Sequence, residues 1–88
     1  MKIIDVVKAF NRGEKYGKAS NGRVRIENNY LINFDTIIAT RTSQGILLNN
    51  RYYSRTTSKL QNMIRANCNV IREFQGEKAD FNPYISWC

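Results

Sequence analysis

The chain has no histidine, one proline and only two cysteines in 88 residues. Without histidine, a conventional Ser-His or Cys-His nucleophile pair cannot be assembled. A zinc site would need cysteine pairs, and Cys68 and Cys88 stand alone. The same two thiols make no disulfide framework. Acidic residues are also scarce, seven against fourteen basic ones. Only Glu27 and Asp35 fall in the part that reads as sheet, so the converging carboxylates of a metal-dependent nuclease are missing. Gly13 and Gly17 have no third glycine in register and no Gly-Lys-Ser/Thr follows, which removes phosphate-loop chemistry. No apolar run approaches the roughly 20 residues that cross a bilayer. The start, Met1-Lys2-Ile3-Ile4-Asp5, is charged too soon for a secretory signal. These absences lead to the expectation of a cytoplasmic protein with no cofactor, no metal, no membrane partner and no enzymatic activity.

What is present is a foldable composition with a lopsided charge. The chain is 42% hydrophobic and 11% aromatic, outside the disordered class, and its 88 residues allow one domain. The formal charge is +7. Residues 15–65 hold nine basic residues against two acidic ones, while the flanks hold five of each. The whole excess lies in the middle, which points to an acidic partner, a nucleic acid or an acidic protein surface.

Periodicity predicts an α+β domain spanning 1–88: a short N-terminal helix, an antiparallel meander of four to five short strands, one amphipathic helix, and an aromatic tail at 75–88. Ile3, Ile4, Val7 and Phe10 form one apolar stripe, with Asp5 in the first turn and Gly13 placed to end the helix. After the Asn21-Gly22 turn signal, Arg23-Val24-Arg25-Ile26-Glu27 alternates strictly, and Tyr30-Leu31-Ile32-Asn33-Phe34 returns across Asn28-Asn29, a pair suited to a type I′ turn. That register sets Glu27 against Tyr30, Arg25 against Ile32 and Arg23 against Phe34, with Val24, Ile26 and Leu31 on the core side. Further strands are expected at Thr36 to Thr42, at Ile46-Leu47-Leu48 and at Arg51-Tyr52-Tyr53. Ser58 with Gln61 fits a capping box. The helical stripe then runs Leu60, Met63, Ile64, Asn67, Cys68 and Ile71, which makes Cys68 a small core hydrophobe. Phe81, Pro83, Tyr84, Ile85 and Trp87 make the tail aromatic, suited to packing on its own domain or on a second copy.

Cations beside flat rings grip single-stranded nucleic acid, by charge along the backbone and by stacking on the bases. Arg23, Arg25, Tyr30, Phe34, Arg51, Tyr52 and Tyr53 provide both within one expected sheet. The alternative places Phe34 and one tyrosine of the pair in the core, with the arginines solvated at its edge. Arg51-Tyr52-Tyr53-Ser54-Arg55 is the one stretch with nucleophilic potential, a tyrosine between guanidiniums, but the chain supplies nothing else for such a site. Thr56, Thr57 and Ser58 at a helix start, flanked by Arg55 and Lys59, read either as an anion site or as a well-capped helix. The candidate binding residues are Arg23, Arg25, Tyr30, Arg51, Tyr52, Tyr53, Arg55 and Lys59.

Tyr53-Ser54-Arg55-Thr56-Thr57-Ser58-Lys59-Leu60-Gln61, with Asn21-Gly22-Arg23-Val24, Tyr30-Leu31-Ile32-Asn33-Phe34 and Ile37-Ile38-Ala39 upstream, resembles a group of small uncharacterised proteins of bacteriophages and mobile elements. In those, short strands lead into a Tyr-Ser-x-Thr-Thr-Ser-Lys-x-Gln segment that opens a helix. This chain has Leu31-Ile32-Asn33-Phe34 where a Tyr-Ser-Tyr-type run is common. The group has no established activity, so the resemblance transfers no site residues. It implies a phage accessory protein in the cytoplasm of a bacterial host. On that footing the expected function is inhibition of host nucleic-acid or defence machinery, anti-CRISPR-like, with a host protein or ribonucleoprotein complex as partner. Direct binding of single-stranded DNA or RNA is the alternative, and a homodimer is a further arrangement.

Overall fold

Short runs of alternating apolar and polar residues, each ended by an Asn-, Asp- or Gly-bearing turn, build most of the domain. The structure, a computed structural model, describes residues 1–76; the tail from 77 onward, with Cys88, lies outside the described residues. The elements are α1 (Ile3–Arg12), β1 (Tyr16–Lys18), β2 (Val24–Glu27), β3 (Tyr30–Asn33), β4 (Thr36–Arg41), β5 (Ile46–Asn49), α2 (Arg55–Asn67) and β6 (Val70–Phe74). The strands form one six-stranded sheet in sequence order, antiparallel up to β5, with β6 parallel to β5. The α+β class is as expected, with more strands than the four to five read from the sequence.

The β2–β3 register matches the alternation: Val24 pairs with Asn33, Arg25 with Ile32, Ile26 with Leu31 and Glu27 with Tyr30. The turn between them differs from expectation. Only Asn28 takes a positive φ, 56°, whereas a type I′ turn requires it at both central residues. Between β3 and β4, Phe34 has φ 57° in a two-residue loop. A bulge sets Ile38 and Ala39 both on the core side, where they join Leu31, Ile46 and Leu48. Val6, Val7, Ala9 and Phe10 of α1 and Leu60 and Ile64 of α2 complete this core. Both helices therefore cover the same sheet face. Each fully buried aliphatic or aromatic side chain there contributes about 1.5–3 kcal/mol.

Three expectations around α2 are corrected. The helix starts a turn earlier than the Ser58–Gln61 box implied: Ser54 is its N-cap, accepting the Thr57 N–H at 3.1 Å. Gln61 is buried instead, and its amide donates to the carbonyls of Asn49 (2.7 Å) and Arg51 (2.9 Å). Arg51-Tyr52-Tyr53 is not a strand, since β5 stops at Asn49 and the chain turns into the helix cap. The helical stripe does not reach Ile71. Asn67 turns its amide back onto the Met63 carbonyl at 2.8 Å, and the β-branched Val70-Ile71 pair joins the free edge of β5. Ile71 is consequently 46% exposed. α2 is thus the crossover that a parallel pair requires.

Two polar ties fix the ends of this unit. Asn49, wholly buried, donates to the Ile37 carbonyl (3.1 Å) and the Tyr53 hydroxyl (2.9 Å), and accepts from the N–H groups of Arg51 (3.0 Å) and Gly76 (2.8 Å). Arg65 on α2 donates to both carboxylate oxygens of Glu73 on β6, at 3.0 and 2.8 Å. That hydrogen-bonded guanidinium holds the Glu73 carboxyl below its ordinary value.

Asn49→Ala should lower unfolding free energy by roughly 2–3 kcal/mol in a urea titration, because it leaves buried backbone groups unpaired. Asn50→Ala, exposed next door, should change it by less than ~0.5 kcal/mol. The Glu73 tie should be small, being at the surface. With a lowered folded pKa, its contribution is complete above the ordinary carboxylate range and fades as pH falls through the lowered value. The stability gap between the native chain and Glu73→Gln should therefore shrink on acidification.

Candidate binding surface

A carboxylate partner offsets an arginine's charge, whereas bonds to backbone carbonyls leave the charge but occupy its donors, so the internal partners of each basic side chain decide which remain available to a ligand. Arg41 is engaged: it donates to the carbonyls of Phe10, Glu14 (3.1 Å) and Asn28 (2.8 Å), and stacks 4.8 Å from the Phe10 ring centre. It caps the C-terminus of α1 and ties that end to the β2–β3 turn. Arg65 holds Glu73. Arg51 donates to the Gly76 carbonyl at 3.2 Å. Arg25 binds Glu27 and the Phe34 carbonyl, with Asp35 at 3.8 Å, so two carboxylates offset its charge. Of the nine basic residues in 15–65, Lys15, Lys18, Arg23, Arg55 and Lys59 have no anionic or carbonyl partner among the described residues.

The rings disperse in the same way. Tyr53 packs against the main core with its hydroxyl on Asn49, so it is the tyrosine of the pair that lies inside. Tyr52 is 67% exposed in the loop before α2. Tyr30 is half-buried beside Ile32 and Ile37 on the sheet face away from the helices. Tyr16, 73% exposed, lies at the far end of the strands, paired with Glu27. The structure does not bring Arg23, Arg25, Tyr30, Arg51, Tyr52 and Tyr53 together on one platform.

It does bring part of the set together at one corner. Asn33, at the end of β3, donates its amide to the Thr57 hydroxyl at 3.0 Å and docks the first turn of α2 against the β3–β4 hairpin. Beside that bond lies a groove of about 160 Å³, floored by Ile3, Val24, Leu60 and Met63 and edged by Arg23, Thr56 and Lys59. Arg23 also reaches over the Phe34 ring, 5.6 Å from its centre. Arg55 opens the same helix turn. The hydroxyl-rich start of α2 is a cap: Ser54 takes the Thr57 N–H, and the Thr57 hydroxyl is held between Ser54 (3.1 Å) and Asn33.

Phe34 completes this corner and is the residue sequence reading underweighted. It is 57% exposed. It also holds a left-handed backbone conformation that costs a non-glycine residue about 1–2 kcal/mol. Bulky residues held that way concentrate at functional positions. The available signal was the spacing: Asn33-Phe34-Asp35-Thr36 puts Phe34 at the first position of a two-residue hairpin loop, where it cannot enter the core.

Cys68 is half-buried with its thiol 3.8 Å from the Val7 carbonyl, and burial raises it to about 11, which keeps it protonated at neutral pH. Among the described residues, no group of three His, Cys, Asp or Glu side chains could hold a metal ion. No helix of the described residues is long and apolar enough to cross a membrane. Comparison of the chain with described protein families, with curated proteins and with solved structures finds no match.

Phe34→Gly should leave stability unchanged or raise it by up to ~1 kcal/mol, the relieved backbone strain outweighing the lost stacking of Arg23. A core phenylalanine would lose about 3–5 kcal/mol on truncation, so a loss of that size in a denaturant melt contradicts the assignment.

Proposed function

We propose that the chain is a non-catalytic binding protein that engages a macromolecular target through the corner formed by Phe34, Arg23 and the first turn of α2, with Arg55 and Lys59. The phage-type resemblance of the 53–61 motif supports an inhibitor of host nucleic-acid or defence machinery, anti-CRISPR-like, acting on a host protein or ribonucleoprotein complex. The observation that carries the choice of target is the internal engagement of Arg25, Arg41, Arg51 and Arg65. What remains near the corner is Arg23 over one exposed ring, with Lys59 on the adjoining groove and Arg55 in the same helix turn. A single-stranded nucleic acid is held by a track of cations with several rings in succession. A protein hot spot needs only an aromatic anchor and neighbouring arginines in one patch. The positive rim suits an acidic surface with an apolar recess for the ring.

The non-catalytic reading rests on Tyr52, the exposed tyrosine of the pair. No acid or base side chain is bonded to it among the described residues, so none there activates it as a nucleophile. The Tyr53 hydroxyl accepts from the Asn49 amide in a part-buried structural contact.

Direct nucleic-acid binding is separable by titration against labelled single-stranded DNA, duplex DNA and RNA at about 50 and about 200 mM salt, a range over which phosphate contacts lose orders of magnitude in affinity. The expected result is weak binding even at the lower salt, unaffected by Arg23→Glu or Lys59→Glu. Tight binding that collapses at the higher salt, and that either substitution abolishes, would replace the inhibitor reading with that of a nucleic-acid protein.

A further inference from the structure

The apolar stripes of both helices run out before the surface closes. Val6, Val7 and Phe10 of α1 and Leu60 and Ile64 of α2 are buried, whereas Ile3, Ile4 and Met63 are only half-buried and Met1 is 50% exposed. These last four floor a trough between the start of α1, α2 and the loop from β1 to β2. Its smaller part is the groove of about 160 Å³ beside Arg23. A more open recess of about 420 Å³, which Met1 and Ile4 line, continues it, and Ile3, Asn21 and Met63 belong to both. Along α2 the trough follows Thr56, Lys59, Leu60 and Met63, the i, i+3, i+4 and i+7 positions of one helix face and about 10 Å of its length. Met1 is fixed at the other side, its carbonyl accepting the Ser20 N–H at 2.8 Å and hydroxyl at 3.0 Å.

Floor and rim together specify what fits. Both methionines of the chain lie in the trough. Their unbranched, polarizable thioethers adapt to apolar partners of varied shape, and an apolar patch rimmed by polar groups marks an interaction site. The rim is cationic, with Lys2 on the larger recess and Arg23 and Lys59 on the smaller. No carboxylate lines either part, and Asp5, in the first turn of α1, is turned to the Lys2 N–H at 3.3 Å. A second copy fits poorly, because a two-fold contact would set these cations against themselves. A nucleic acid also fits poorly, since the lining offers no ring on which a base could stack.

We propose that this trough is the docking site for an acidic amphipathic segment of a partner protein, its apolar side chains on Met1 and Met63 and its carboxylates at Lys2, Arg23 and Lys59. The proposal rests on the reading of the chain as a protein binder and adds the chemistry of the segment that it takes.

Methyl-labelled methionine gives the chain two NMR reporters, both in the trough, and Met63→Leu assigns them. The synthetic peptide acetyl-EELLEELLEE-amide should move both signals saturably. Lys59→Glu, at an exposed position, should weaken that binding by roughly tenfold, and Lys2→Glu, exposed on the other recess, should weaken it too. The same peptide with lysine for glutamate, or serine for leucine, should leave both signals in place. Phe34→Gly should leave the titration unchanged, so that the trough and the Phe34 corner fail separately. Signals unmoved by the acidic peptide, moved equally by either control, or indifferent to both charge reversals overturn the proposal. Binding lost with Phe34→Gly also overturns it, seating the peptide on the corner. Signals that change on dilution of the protein alone would make the occupant a second copy. Shifts produced only by phosphatidylglycerol vesicles or by a single-stranded oligonucleotide would replace the peptide with a lipid surface or a nucleic acid.

Discussion

The buried amide contacts between Asn49 and Gln61 are the interaction on which the rest of the structure depends. The Asn49 carbonyl at the end of β5 and the Arg51 carbonyl in the loop beyond it both accept from the Gln61 amide of α2. Asn49 in turn fixes Tyr53, the Arg51 backbone and Gly76. Helix position, the path of the loop before it and the exit of the chain after β6 are thus set by one polar cluster. Because buried polar groups must be paired, this cluster admits few alternative arrangements.

From that placement the proposed binding corner follows. With α2 held against the end of β5, its first turn meets Asn33, and the Thr57–Asn33 bond leaves Phe34 projecting beyond the contact. The arginines that would have given the sheet a continuous positive face are instead drawn into structural work. Arg41 satisfies three backbone carbonyls, and Arg25 is offset by Glu27 and Asp35. The charge excess of residues 15–65 is real in composition and selective in space. A strained, exposed aromatic beside a few unengaged cations is the part of the surface whose conformation the fold itself does not require.

Much of this was legible beforehand, and the failures have specific causes. The β2–β3 register could be read because its two faces differ so sharply in polarity, and Gly13, with φ 98°, ends α1 as its position implied. β6 was not legible: Ile71 continues the helical stripe of Leu60 and Ile64, and only the unpaired edge of β5 converts it to a strand. Ser58 and Gln61 have the right spacing for a capping box, but Ser54 reaches the helix start first and the buried carbonyls claim Gln61. For the site, residue type was informative and geometry was not. Arg23 and Lys59 stand at the corner, while Arg25, Arg51 and Tyr53 have the same chemistry and are occupied internally. No local pattern reveals which arginine will find a carbonyl fifteen or thirty residues away.

The central claim is that the target is met at Phe34 and not across the sheet. Photo-crosslinking in bacterial cells from p-benzoylphenylalanine at position 34, compared with position 16, tests it most directly. Tyr16 is aromatic and more exposed than Phe34 but lies at the opposite end of the strands. The account predicts a discrete protein adduct from position 34 that disappears with Arg23→Glu and is not formed from position 16. Adducts from position 16 alone, or an adduct from position 34 that is indifferent to Arg23→Glu, would contradict it.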